Sequence, residues 1–156
     1  MTSMTGELPG MTLRAIGIVS NEIKRPPKQV PFGWENVVSN IVVDSSLTEA
    51  LDGLEEFSHI VVVYWMHQVA TGELPMRVHP MGKQELPLVG LFATRSPHRP
   101  NPVGETTVRL LQCQGNILKV KGLDAVDGTP VIDIKPYVPE FDSAAKATAP
   151  QWITNL

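Results

Sequence analysis

Apolar positions along the chain recur mainly in short alternating or continuous runs, and few of them follow helical spacing. Ile16, Ile18 and Val19 mark Leu13 to Ser20 as a first strand. A second short strand is expected over Asn40 to Asp44. Ser46-Leu47-Thr48-Glu49 fits a capping box, and Leu47, Ala50, Leu51 and Leu54 share one helical face. That predicts one short helix ended near Gly53. Ser58 to His67 carries the longest apolar run, Ile60 to Met66, whose β-branched and aromatic content predicts a strand buried on both faces. Leu88 to Ala93 reads as another strand. Thr106 to Cys113 and Ile117 to Leu123 flank Gln114-Gly115-Asn116 and predict a hairpin. Val131 to Lys135 is the last expected strand.

About seven short strands, one short helix and long loops predict a mainly β protein, a single-domain antiparallel barrel whose closure removes exposed edges. The expected layout is a loose lead-in over residues 1–12, a barrel over 13–142 and a tail over 143–156. Trp152, in the tail's Gln151-Trp152-Ile153, is a candidate for docking or for a subunit interface.

Composition narrows this reading. With 14 Pro and 12 Gly among 156 residues, long helices are disfavoured, which excludes coiled coils and helical repeats. A hydrophobic share of 42% with 19% charged residues is that of a globular chain. The lone Cys113 excludes an internal disulfide and any zinc site built on several cysteines, and no metal is expected. No run approaches the roughly 18 apolar residues of a membrane span, and no signal peptide is recognisable, so the cytoplasm is the expected compartment. A net charge of −3 argues against non-specific nucleic-acid binding and leaves room for a local basic patch.

Candidate chemistry concentrates in three places. Phe92 to Gly104 places Arg95, His98 and Arg99 between prolines, a rigid arrangement that suits phosphate, carboxylate or a stacked base. A solvated basic loop would have the same residues. His67-Gln68 ends the apolar strand, where a barrel strand meets its rim and can bond the edge of a purine, or simply satisfy itself. Leu123 to Tyr137 contains the turn Asp127-Gly128, where Gly permits close approach of a ligand, and Asp124 and Asp127 can accept from an ammonium or a ribose. Both can also be plain turn residues. Dinucleotide, P-loop and Gly-x-Ser-x-Gly signatures are absent.

Together with Leu54-Glu55-Glu56-Phe57-Ser58-His59, these segments resemble the TsaA-like, or TrmO-type, family over roughly residues 13–142. Ala93-Thr94-Arg95-Ser96-Pro97-His98-Arg99-Pro100-Asn101-Pro102 is the most specific part of the match. The resemblance implies an S-adenosylmethionine-dependent tRNA methyltransferase on a β-barrel, acting on the exocyclic nitrogen of threonylcarbamoyl-adenosine next to the anticodon. It implies a homodimer with the cofactor near the subunit interface, no membrane and no DNA partner, and a short form without the C-terminal domain of longer bacterial members. By the same match the cofactor site includes Pro27, Lys28, Gln29, His67, Gln68, Arg95, Glu105, Asp124, Asp127, Gly128 and Thr129. Arg95 and Arg99 are expected to hold the modified base or anticodon-loop phosphates, and His67 is the candidate base. Arg99, His98, Lys24 and Arg25 are expected to meet the RNA. Glu105-Thr106 departs from the family pattern, which has an apolar residue and Ser there; its carboxylate either pairs with the cofactor or leaves only backbone in contact. Competing readings are a non-catalytic RNA-binding barrel, an S-adenosylmethionine-dependent enzyme with a small-molecule acceptor, and a structural barrel.

Overall fold

The computed structural model describes residues 6–26 and 33–156. Its strands are β1 (Gly17–Ser20), β2 (Val38–Val43), β3 (His59–Trp65), β4 (Arg77–Val78), β5 (Val89–Gly90), β6 (Val103–Gln114), β7 (Ile117–Lys121) and β8 (Pro130–Pro136). Six of them close an antiparallel barrel in the order β1-β2-β7-β6-β3-β8, with β8 pairing back onto β1 through Gly17 opposite Val131 and Ile18 opposite Pro130. Each barrel strand thus has two neighbours and offers no free edge. The two prolines of β8 stand at its ends, where a missing N–H costs the ladder least.

Alternation along the strands fills the interior. In β2, Ser39, Ile41 and Val43 are buried while their neighbours are exposed. Leu118 and Val120 of β7, Val108 of β6, Ile60 and Val62 of β3 and Val131 of β8 meet them in one cluster. β3 is buried on its outer face as well at Val61, as its continuous apolarity requires. The hairpin between β6 and β7 turns on Gly115-Asn116, with Gln114 paired to Ile117 and positive φ at Gly115. Asn116 anchors it to β2: its side-chain amide donates to the Val43 carbonyl at 2.6 Å, and its own carbonyl accepts from Val43 N at 2.8 Å.

Three sequence expectations change in detail. The barrel has six strands, because Leu88 to Ala93 lies outside it. Only Val89–Gly90 is extended there, paired with the two residues of β4, and Leu91–Ala93 then turns as a 3₁₀ segment that buries Leu91. The helix after β2 is a 3₁₀ segment, Ser45–Leu51, and its cap is Asp44, whose carboxylate accepts from Ser46 N at 2.9 Å and Ser46 Oγ at 2.8 Å. With seven residues and only Leu51 buried, it has too little packing to sustain an α-helix. Among the described residues the single α-turn is instead α1 (Pro139–Asp142). The tail turns again at Gln151–Asn155 and docks on the loop after β4, where Lys83 Nζ donates to the Asn155 carbonyl at 2.8 Å.

Candidate active site

β3 delivers its last inward residue, Tyr64, to one end of the barrel, and the loop 123–129 crosses the same end before β8. The phenol hydroxyl joins the two. It donates to the Asp124 carbonyl at 2.7 Å and shares a 2.8 Å bond with Thr106 Oγ1. Burial pushes the Tyr64 pKa up to about 12, so the hydroxyl stays protonated and remains a donor at neutral pH.

Asn21, just after β1, holds the other side of that loop. Its amide nitrogen donates to Ser39 Oγ at 2.9 Å and to the Ala125 carbonyl at 2.8 Å, while its backbone N–H donates to Asp127 Oδ1 at 3.0 Å. Asp127 Oδ2 pairs with Lys24 at 2.9 Å. The hydrogen bonds from Lys24 and Asn21 hold the Asp127 carboxyl below the usual range. Gln68 Nε2 donates to the Lys24 carbonyl at 3.0 Å. Gly128 adopts φ of 81°, and a side chain there would stand 3.7 Å from His67 Nε2. Lys24, His67, Gln68, Asp127 and Gly128 are therefore one assembly, drawn from three separate stretches of sequence.

Inside this frame lies a pocket of about 160 Å³, walled chiefly by Trp34, Tyr64, Met66 and Val126, with Asp124, His67 and Gln68 among its lining. That volume is comparable to an apolar cavity that admits a benzene ring. Much of the Asp124 side chain is open to solvent, yet its carboxyl sits against these apolar walls, and loss of water raises its pKa. Thr129 lies at the base, buried, with its hydroxyl spent on the Val126 carbonyl at 2.7 Å. Pro97 reaches the pocket from the Pro-rich loop.

Pro97 also lines a second, larger groove of about 830 Å³ between the loops 77–84 and 92–98 and the tail. Arg95 and His98 line it, and both are exposed. Arg99 turns back into its own loop. Its Nη1 donates to the Thr94 carbonyl at 2.8 Å and the Ser96 carbonyl at 3.3 Å, and its guanidinium lies 5.7 Å from the centre of the Phe92 ring. It shapes the loop, which leaves Arg95 as the outward cation.

Thus His67, Gln68, Asp124 and Thr129 line the barrel-end pocket, with Asp127, Gly128 and Lys24 bracing it. Arg25 is exposed beside Pro26, which also lines the pocket. Arg95 and His98 belong to the neighbouring groove. Pro27, Lys28 and Gln29 lie outside the described residues; Pro26 and Trp34 both reach the pocket. Glu105 stands apart. Pairing with Val63 places Glu105 on the outer face of β6, and strand alternation turns Thr106 inward to Tyr64 instead. The Glu105 side chain lines a shallow groove with Lys135 and Phe141. Sequence reasoning missed Tyr64, Trp34 and Asn21, since an aromatic in an apolar strand reads as core and a lone Asn after a strand reads as a turn. Among the described residues, no cluster of three His, Cys, Asp or Glu is placed to hold a metal, and no helix is long and apolar enough to cross a membrane.

Comparison with known proteins gives this site its context. The sequence pattern of the tRNA-methyltransferase O N-terminal domain matches residues 19–143. A probable S-adenosyl-L-methionine-binding protein of Methanothermobacter thermautotrophicus is 48% identical over 134 residues, covering 84% of this chain and 93% of that protein. The tRNA (adenine(37)-N6)-methyltransferase of Mus musculus is 42% identical over 94 residues, 60% of this chain and 22% of that one. The crystal structure of TrmO from Pseudomonas aeruginosa superposes with a TM-score of 0.74 at 32% identity, covering 91% of this chain. This chain spans 62% of the length of that TrmO chain. The match reaches from β1 through α1 and takes in the barrel, the Pro-rich loop and the 123–129 loop: the chain belongs to the tRNA-methyltransferase O N-terminal domain family.

Proposed function

We infer that the protein transfers a methyl group from S-adenosylmethionine to the exocyclic nitrogen of an adenosine in tRNA, with threonylcarbamoyl-adenosine beside the anticodon as acceptor. The barrel-end pocket carries this reading. Its aromatic and aliphatic walls, Trp34, Tyr64, Met66 and Val126, suit a planar adenine, and the Asp124 carboxyl with His67 and Gln68 suits a ribose diol and a cationic chain. S-adenosylmethionine supplies the methyl: the acceptor nitrogen forms a C–N bond as the S–C bond breaks, the bonding pair stays on sulfur, and the nitrogen's proton leaves.

For such a displacement the chain must position two partners and exclude water. Tyr64 and Asn21 fix the 123–129 loop from opposite sides. The apolar walls partly dehydrate the Asp124 carboxyl, which strengthens its attraction for a cation. His67, exposed at the rim, is the side chain that can take the departing proton, and Arg95, exposed in the neighbouring groove, is free to meet the RNA. A homodimer, implied by the family resemblance, and a cytoplasmic location belong to the same proposal.

The test is methyl transfer from labelled S-adenosylmethionine to threonine tRNA with and without its threonylcarbamoyl group, read by nucleoside mass spectrometry. A methyl gain confined to the modified adenosine is expected. Cofactor binding without any gain on either tRNA would move the acceptor elsewhere.

A further inference from the structure

The groove beside the site holds a combination of side chains that the barrel does not need. Phe92 is 77% exposed, Met81 76% and Leu88 53%, and all three line it. Exposed apolar residues gathered in one concave surface mark a binding site more often than chance does. Its cationic side chains are Arg77 and Arg95, with His79 and His98 beside them, and among the described residues no Asp or Glu side chain lines it. In a chain with 16 acids against 13 Lys and Arg, such segregation makes a local field that attracts anions. His79 spends Nδ1 on the Leu86 carbonyl at 2.8 Å, which fixes its ring on the groove wall.

The remaining wall comes from the tail. Trp152, Ile153 and Leu156 line the groove, and the bond from Lys83 Nζ to the Asn155 carbonyl ties that turn in place. These residues lie beyond the family's matched segment, 19–143. Trp152 is half-buried.

We propose that residues 151–156 complete a nucleotide-binding groove in which Trp152 stacks on a base of single-stranded RNA whose phosphates face Arg77 and Arg95. This rests on the tRNA reading above and adds an RNA-contacting element from outside the matched segment. Aromatic faces combined with unpaired cations are the usual means of holding unstacked bases. Pro97 is shared by the groove and the barrel-end pocket, so a base splayed into the groove lies directly beside the reacting centre. An acidic peptide would answer the charge and leave the Trp152 ring without a planar partner.

The experiment titrates the full chain into a labelled anticodon stem–loop RNA without methyl donor, for the wild type, Trp152→Ala, Trp152→Phe and Arg77→Glu. Trp152→Ala should weaken RNA binding at least about fivefold and Trp152→Phe by less than about twofold, the range of base–aromatic stacking. Arg77→Glu should weaken binding and lower the salt dependence by about one counterion or more. S-adenosylmethionine affinity, measured by calorimetry, should be unchanged in all three. RNA affinity equal to wild type in both Trp152→Ala and Arg77→Glu overturns the proposal, as does a groove that takes an Asp- and Glu-rich peptide and not the RNA. If Trp152→Ala does not fold, Arg77→Glu, on an exposed loop strand, decides alone. Methyl transfer by the wild type is measured in parallel. RNA binding that depends on Trp152 without any transfer sinks the functional reading and leaves the groove standing; transfer with RNA affinity unaffected by either variant sinks the groove alone.

Discussion

Tyr64 lays its phenol ring against the bare backbone of Gly104, in the space where any side chain at that position would stand: a Cβ there would come within 2.6 Å of Cζ and 3.0 Å of the hydroxyl. Gly104 closes the Pro-rich block that runs from the groove into β6, and Tyr64 holds the Asp124 carbonyl. One small residue in the motif thus lets the barrel wall support the site loop.

Gly104→Ala must push the Tyr64 ring aside, because the ring is buried and its hydroxyl is tied to Thr106 and the Asp124 carbonyl. Overpacking of this kind costs about 1–3 kcal/mol. Urea denaturation should show that loss, together with weaker cofactor binding as the 123–129 loop loses its tie. Unchanged stability would mean that the ring has another place to go.

The same phenol makes the fold sensitive to alkali. Its folded pKa of about 12 lies above the ordinary value of 10.0, so the unfolded chain gives up this proton first. The contribution is complete below pH 10 and is lost as pH rises from there towards 12, up to roughly 2–3 kcal/mol. Tyr64→Phe should be less stable than wild type at pH 8 by about 1 kcal/mol, and should lack this alkaline limb. Denaturation midpoints between pH 8 and 11 check both parts.

Much of this arrangement was legible in the residues. Ile60 to Met66 announced a strand buried on both faces, and Gly115-Asn116 announced the hairpin, since both signals are local. His67, Gln68 and Asp124 stood out for their chemistry and do line one pocket. Tyr64 was hidden, because its position inside an apolar run is what core residues also show, and only the fold reveals the carbonyl above it. Asn21 braces the loop through atoms 104 and 106 residues away, a relation that no local pattern contains. Leu88 to Ala93 misled for the opposite reason: its composition suits a strand, but among the described residues its one strand partner is the two-residue β4.

Lys24 and Asp127 form an ion pair that is largely open to solvent, so its worth to stability is small and salt-screened. The depressed carboxyl favours the fold above the ordinary carboxylate range, and that contribution fades as pH falls through the folded value. Lys24→Met should leave the melting temperature nearly unchanged at pH 7 while moving the Asp127 carboxyl titration upward, as read by NMR. An unmoved titration would show that the Asn21 N–H alone sets the carboxyl.

Asp124 behaves in the opposite sense. Its carboxyl is raised by loss of water, and a bound cation would favour the ionised form and expel a proton. S-adenosylmethionine affinity should therefore climb with pH through the upper carboxylate range and level off at neutrality. Asp124→Asn should bind more weakly and lose that climb. A variant with the wild-type pH profile would remove Asp124 from contact with the charge.

Equilibrium dialysis with labelled S-adenosylmethionine decides whether the barrel-end pocket is the cofactor site. Val69 lines the pocket from a half-buried rim position, so Val69→Trp fills the opening while leaving the barrel core untouched. One molecule bound per chain by the wild type, and at least about tenfold weaker binding by a folded Val69→Trp, is the predicted result; tenfold corresponds to about 1.4 kcal/mol. Equal binding by both proteins would place the cofactor elsewhere on the molecule and contradict the account.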